Sequence, residues 1–164
     1  MAGLKINKTA LGVVTFVVLL ILAGYSAKSG AQSFIHVGVG KTVVNSHLKV
    51  GEIGYQYGNW EAQVSLTEAG RTKRGDQEQV DTYSVSYLTT PGWGYVGVEP
   101  YFRIGASHNT DSNLVGNINY RLGMGVNFNQ VFRLEYAHHS SAGINDPNTG
   151  MDYVLLNYAM EASW

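Results

Sequence analysis

The stretch FRLEYAHHSS, residues 132–141, decides how the chain is read. Its side chains fall into two alternating sets, because successive residues of a strand point to opposite faces. Phe132, Leu134, Tyr136, His138 and Ser140 form one set; Arg133, Glu135, Ala137, His139 and Ser141 form the other. The first set begins apolar and ends polar, and the second carries an arginine and a glutamate two residues apart. A strand with an apolar row on one side and charges on the other fits a wall between lipid and a polar interior.

The same period recurs along the chain. Approximate strands are predicted over 34–42, 48–57, 60–68, 79–89, 95–108, 115–127, 131–141 and 152–163, with no long segment of helical period. In NINYRLGMGV, Ile118, Tyr120, Leu122, Met124 and Val126 alternate with Asn117, Asn119, Arg121, Gly123 and Gly125. Inward glycines relieve crowding where eight strands share a narrow lumen. Glu99, Tyr101 and Arg103 share a face and predict a second inward ionic cluster. Long polar connections (VNSHL, AGRTKRGDQEQ, NTDSN, AGINDPNTGM) alternate with tight ones at Gly58–Asn59, Thr90–Gly94 and Asn127–Gln130. That rhythm is the layout of a small outer-membrane barrel with long external loops and short periplasmic turns. The fold class is therefore all-β, an eight-stranded antiparallel transmembrane β-barrel over residues 32–164. The alternative is a soluble eight-stranded barrel or sandwich with its apolar residues turned inward.

The composition agrees. Twenty glycines and eleven tyrosines beside three prolines suit many strands and close turns. A net charge of −1 gives no basic surface for a nucleic-acid partner, and the absence of cysteine removes disulfide and thiolate chemistry. Residues 1–31 are a different material. After Lys5 and Lys8 the chain is uncharged from Thr9 through Ala27. The segment reads as an export signal cleaved after Ala31, or as a retained membrane helix, since about 20 apolar residues can span a bilayer. The terminal Trp164 is similar to the final aromatic residue of bacterial outer-membrane barrels.

On the lipid-facing set, His138 and Ser140 are joined by Asp152 at the head of the last strand. A serine hydroxyl becomes a useful nucleophile when a base accepts its proton. His138 is two residues away on the same face, and Asp152 returns beside it after the turn-rich AGINDPNTGM. Nucleophile, base and orienting acid would then share one outer surface. The bland reading is a polar rim, since external strand ends are rich in His, Ser and Asp. His139 points to the opposite face and suits an interior hydrogen bond. The adjacent histidines diverge and have no third ligand with them, so a metal site is not expected. VGVGKTV, from Val37, lacks phosphate-loop spacing and reads as strand.

AHHSSAGINDPNTGMDY resembles the C-terminal signature of the outer-membrane lipid A 3-O-deacylases, a family of eight-stranded barrel acyl hydrolases. The shared pattern is His-x-Ser, a following Ala-Gly, a loop with Pro-Asn and Gly, and an acid at the head of the last strand. The resemblance implies hydrolysis of the ester-linked 3-O-acyl chain of lipid A, with Ser140 as nucleophile, His138 as base and Asp152 as orienting acid. It implies no cofactor, a site near the external leaflet of a bacterial-type outer membrane, and lipid A or lipopolysaccharide and outer-membrane lipids as partners. Two positions depart from the family. Asp152 stands where a glutamate is usual, and Ser141 where an asparagine helps hold the oxyanion, leaving the Gly143 N–H and Ser141 as the donors. Loss of one such donor costs roughly 3–4 kcal/mol of transition-state stabilisation. Arg71, Lys73 and Arg74 in an external loop are candidate contacts for lipid A phosphates, or simply solvated charges. The competing function is a non-catalytic structural or adhesive barrel, or a surface assembly component that keeps the N-terminal helix.

Overall fold

The structure, a computed structural model, describes residues 32–144 and 146–162. The 1–31 segment and Trp164 lie outside the described residues. In chain order the strands are β1 (Ser33–Val43), β2 (Lys49–Tyr57), β3 (Trp60–Thr67), β4 (Gly70–Thr72), β5 (Gly75–Gln77), β6 (Val80–Thr89), β7 (Val98–Asn109), β8 (Ile118–Phe128), β9 (Phe132–Ser140) and β10 (Met151–Glu161). Eight of them close a barrel in the order β1-β10-β9-β8-β7-β6-β3-β2, and β4 and β5 form a separate hairpin. Every barrel pairing is antiparallel, and β1 against β10 closes the circle. Closure leaves no edge strand unpaired, which a single sheet of this size would otherwise expose.

The distribution of side chains separates the membrane barrel from its soluble alternative. Ile104, Leu122, Met124, Leu134 and Leu156 lie on the outer surface, all exposed, while Glu61, Arg103, Arg121 and Glu135 are buried in the lumen. A water-soluble barrel would invert that arrangement. Inside, Arg103 binds Glu61 at 2.7 Å and Glu135 at 2.9 Å, Arg121 binds Glu135 at 3.0 Å, and Arg133 binds Glu61 at 2.7 Å. Tyr101 donates its hydroxyl to Glu135 at 2.6 Å. Buried charges survive when opposite charges and hydrogen bonds satisfy them. The sequence neighbours are not the partners: Arg103 reaches across the lumen to Glu61 and Glu135 rather than to Glu99, and Arg133 pairs with Glu61 rather than Glu135. Inward glycines make the space. A Cβ on Gly123 would lie 2.9 Å from a Glu135 oxygen, and one on Gly125 would lie 2.8 Å from the Tyr101 ring.

Toward the end that carries the long loops the lumen turns apolar, with Val50, Leu114, Val115, Ala137, Met151, Tyr153 and Leu155 packed together. Three boundaries differ from the sequence-based expectation. The second tight turn, between β6 and β7, runs on to Gly97, because Tyr95 and Val98 exchange backbone hydrogen bonds and close the chain there. The strand expected from residue 115 begins at Ile118, Val115 instead bridging Asn148. The long connection between β3 and β6 carries the β4–β5 hairpin, which Lys73 N–H ties to Asn45 O at 2.8 Å.

Candidate active site

On β9 the outward row ends in Tyr136, His138 and Ser140, and β10 returns so that Asp152 stands directly opposite His138 in the ladder. His138 Nδ1 lies 2.8 Å from an Asp152 oxygen, and the Tyr136 hydroxyl donates to that same oxygen. Asp152 is buried, while the His138 side chain is 40% exposed and open to a ligand. The shorter acid therefore reaches the imidazole. Direct cross-strand opposition brings the two Cβ atoms within about 5 Å, close enough for Asp.

Ser140 is held differently. Its hydroxyl donates to Asn148 Oδ1 at 3.0 Å, and the backbone N–H of Ser141 donates to the same oxygen at 3.0 Å. A backbone N–H can only donate, so the atom facing it must be the amide oxygen, and Asn148 Nδ2 is turned away from that contact. Ala142 N–H donates to Ser140 Oγ at 3.2 Å. No hydrogen bond joins Ser140 to His138, so the full Ser–His–Asp relay is not assembled in this conformation.

The loop is fixed from several sides. Thr149 N–H donates to Leu114 O at 2.7 Å, and the Asn45 amide donates to Thr149 O at 2.9 Å and to Gly150 O at 3.1 Å. Gly150 has φ +80° and packs under the imidazole, where an added Cβ would meet His138 Cε1 at 2.8 Å. After Ser140 the chain turns through Ala142 (φ +48°) and Gly143 (φ +83°), and Ser141 is fully buried. His139 faces the lumen, with Ser107 Oγ 3.1 Å from its Nδ1 and the Tyr153 ring against it. Arg71, Lys73 and Arg74 are exposed on the hairpin. No described hydrogen bond or ion pair links them to His138, Ser140 or Asp152.

Asn148 and Gly150 are functional candidates that spacing along the chain did not reveal. The Asn-Thr-Gly of the loop read as turn chemistry, and nothing local says that its first side chain folds back eight residues to Ser140. Below the site an apolar groove runs down the outer wall between Phe102, Met124, Val126, Leu134, Tyr136 and Val154. Among the described residues, no three His, Asp or Glu side chains cluster as a metal site.

The fold and the outward polar cluster define an outer-membrane β-barrel with a candidate hydrolytic site on its lipid-facing wall. The family model described as Lipid A 3-O-deacylase (PagL) matches residues 40–161, and the chain belongs to that family. Among solved structures it is similar to "Crystal structure of the outer membrane enzyme PagL", with 19% identity and a TM-score of 0.57 over 79% of this chain and 99% of that one, a likeness of fold. A structure from "De novo design of transmembrane beta-barrels" aligns at 14% identity and a TM-score of 0.48, over 81% of this chain and 98% of that one. Comparison with curated protein sequences gave no significant match.

Proposed function

We propose that the protein hydrolyses the ester-linked 3-O-acyl chain of lipid A in the outer membrane, with Ser140, His138 and Asp152 as its catalytic residues. The observation that carries this reading is the 2.8 Å His138–Asp152 pair on the outer wall, beside a serine of the same row, in a chain of the deacylase family. Asp152 holds Nδ1, which leaves Nε2 of the imidazole as the proton acceptor. The Ser140 hydroxyl leaves Asn148 by rotation about χ1 and donates to Nε2. As Oγ attacks the ester carbonyl, its proton passes to His138, and the C–O bond to the sugar breaks as His138 returns that proton to the leaving alkoxide. Water then attacks the acyl-serine, giving its proton to His138, and the fatty acid leaves with Ser140 restored.

The oxyanion falls at the turn after Ser140, where the Gly143 N–H and Ser141 are the donors taken from the family pattern. Asn148 Nδ2 is a third, supplied by the loop. The groove below Tyr136 suits an acyl chain, since its walls are apolar and open to lipid. On this reading the external site meets an ester still embedded in the outer leaflet, and Arg71, Lys73 and Arg74 are candidate contacts for lipid A phosphates above it. Cleavage after Ala31 would leave a mature barrel of residues 32–164, which an intact-mass measurement checks.

The test incubates the folded protein and Ser140→Ala in detergent or bilayers with lipid A and measures released 3-hydroxy fatty acid. Release by the wild type and none by the variant is expected. Equal release from both sinks the Ser140 mechanism. No release from either, across several acyl forms of the substrate, favours the structural reading, to which the Ser140–Asn148 bond lends some weight.

A further inference from the structure

Lys41 on β1 and Lys49 on β2 stand directly opposite each other in the ladder, and both are exposed. Their parity is that of Val39 and Ile53, exposed on the outer wall, so the two ammonium groups project outward together. Like charges directly opposite on one face of a sheet destabilise it. No described salt bridge offsets that cost. The carboxylate of Glu68, which follows β3, accepts Lys49's backbone N–H at 2.8 Å, and no described ion pair reaches either lysine. Asp152, one strand beyond Lys41, already accepts from His138 and Tyr136.

The register gives their height. One outward row runs Phe102, Met124, Tyr136, Val154, Lys41, Lys49. It climbs because barrel strands tilt, and it ends at Lys49, the first residue of β2 and so its external end. The lysines thus sit at the external interface on the same row as the apolar groove. Lys41 lies two strand spacings, roughly 10 Å, to the side of β9, which carries His138. Lysine side chains cover much of that gap.

We infer that Lys41 and Lys49 form a phosphate-binding site on the outer wall, which holds a sugar phosphate of the glycolipid while its ester lies at Ser140. The inference rests on the proposed deacylase reading and names a substrate contact for the same site. A phosphate carries the charge that two opposed ammonium groups lack, and each lysine can donate to a different oxygen of it. The cations of the β4–β5 hairpin lie over the barrel mouth, whereas this pair faces the lipid and is continuous with the groove. The same chemistry would also accept the phosphodiester of a glycerophospholipid, so the experiment separates the two sources.

Binding is measured with the full chain folded in micelles and carrying Ser140→Ala, so that turnover plays no part. The parent is compared with a Lys41→Gln/Lys49→Gln pair and a Lys41→Arg/Lys49→Arg pair, with native migration on unheated gels confirming each fold. The ligands are bisphosphorylated lipid A, lipid A stripped of phosphate, and phosphatidylglycerol. The Gln pair is expected to weaken binding of phosphorylated lipid A by about tenfold, the loss of one charge-assisted contact. It should leave the dephosphorylated lipid unchanged, and the Arg pair should retain binding. Equal weakening for both lipid A forms, or none for either, overturns the site. Phosphatidylglycerol bound as tightly and with the same lysine dependence reduces the pair to a general interfacial anchor and also overturns it. Phosphate-dependent binding in a protein whose Ser140 form releases no fatty acid would instead sink the hydrolase reading alone.

Discussion

Gly150→Ala is the sharpest probe of the site, because its effect follows from two numbers. The residue sits at φ +80°, and a Cβ there would lie 2.8 Å from His138 Cε1. Ordinary carbon contacts begin near 3.4 Å, so the imidazole must retreat by roughly 0.6 Å or the loop must lift by as much. Either movement lengthens the 2.8 Å bond to Asp152 or misplaces Nε2 relative to Ser140. A 1 Å misplacement at a reacting centre costs about 100-fold, so kcat is expected to fall between tenfold and 100-fold. The left-handed backbone adds about 1–2 kcal/mol of strain, which alone should not unfold the barrel. Gly92→Ala supplies the control: φ there is +73°, nothing lies within 4 Å of the added carbon, and the turn joins β6 to β7 at the end of the barrel away from His138. The assay is the initial rate of 3-hydroxy fatty acid release, with the imidazole nitrogen shifts of His138 read in parallel. Loss of rate in Gly150→Ala, a shifted His138 signal and a normal Gly92→Ala bear the reasoning out. A Gly150→Ala enzyme within twofold of wild type, with an unmoved His138 signal, refutes it.

Asn148 and the lumen give two more tests. Asn148→Ala removes both the acceptor that parks Ser140 and the amide donor, and a fall in kcat of about 100-fold is expected; Asn148→Asp keeps the acceptor alone, so an Asp variant as fast as wild type rules out the donor role. Glu135→Ala strands Tyr101, Arg103 and Arg121 without their shared carboxylate, which should cost about 3–5 kcal/mol in urea unfolding from bilayers, and an unchanged midpoint would show that the lumen network contributes little.

Much of this architecture was legible because strand parity is a strong constraint. The alternation in 132–141 separated Ser140 and His138 from His139, and the structure keeps them apart, His139 against Ser107 inside the lumen and His138 against Asp152 outside. The identity of the ion pairs was not legible. Arg133 and Glu135 are two apart on one face, yet the guanidinium of Arg133 binds Glu61 of β3, because a closed barrel brings far walls within reach that a single strand cannot specify. The hairpin at Gly70–Gln77 was equally hidden: its strands are three residues each, too short to show a period, and they form where the chain folds over the mouth. Asn148 escaped for a related reason. Its place beside Ser140 depends on a loop pinned by Leu114 and Asn45, residues of two other long loops.

The filled lumen bears on where any function can reside. Arg103, Arg121, Glu61 and Glu135 occupy the middle of the barrel, and Leu114, Val115 and Met151 pack across the end that carries the long loops, so side chains fill the lumen at both levels. Chemistry is left to the outer wall and the rims, and on the outer wall polar groups are costly unless they act or pair. His138, Asp152 and Ser140 meet that condition by bonding to each other or to the loop, whereas no described side-chain hydrogen bond or ion pair does so for Lys41 and Lys49. The two departures from the family signature look different in this setting. Asp152 reaches His138 at 2.8 Å despite its shorter side chain, since it faces His138 directly across the ladder. With Ser141 buried, an amide group is again found beside the nucleophile, carried by Asn148 from across the loop, and on the proposed mechanism the oxyanion is served from that side.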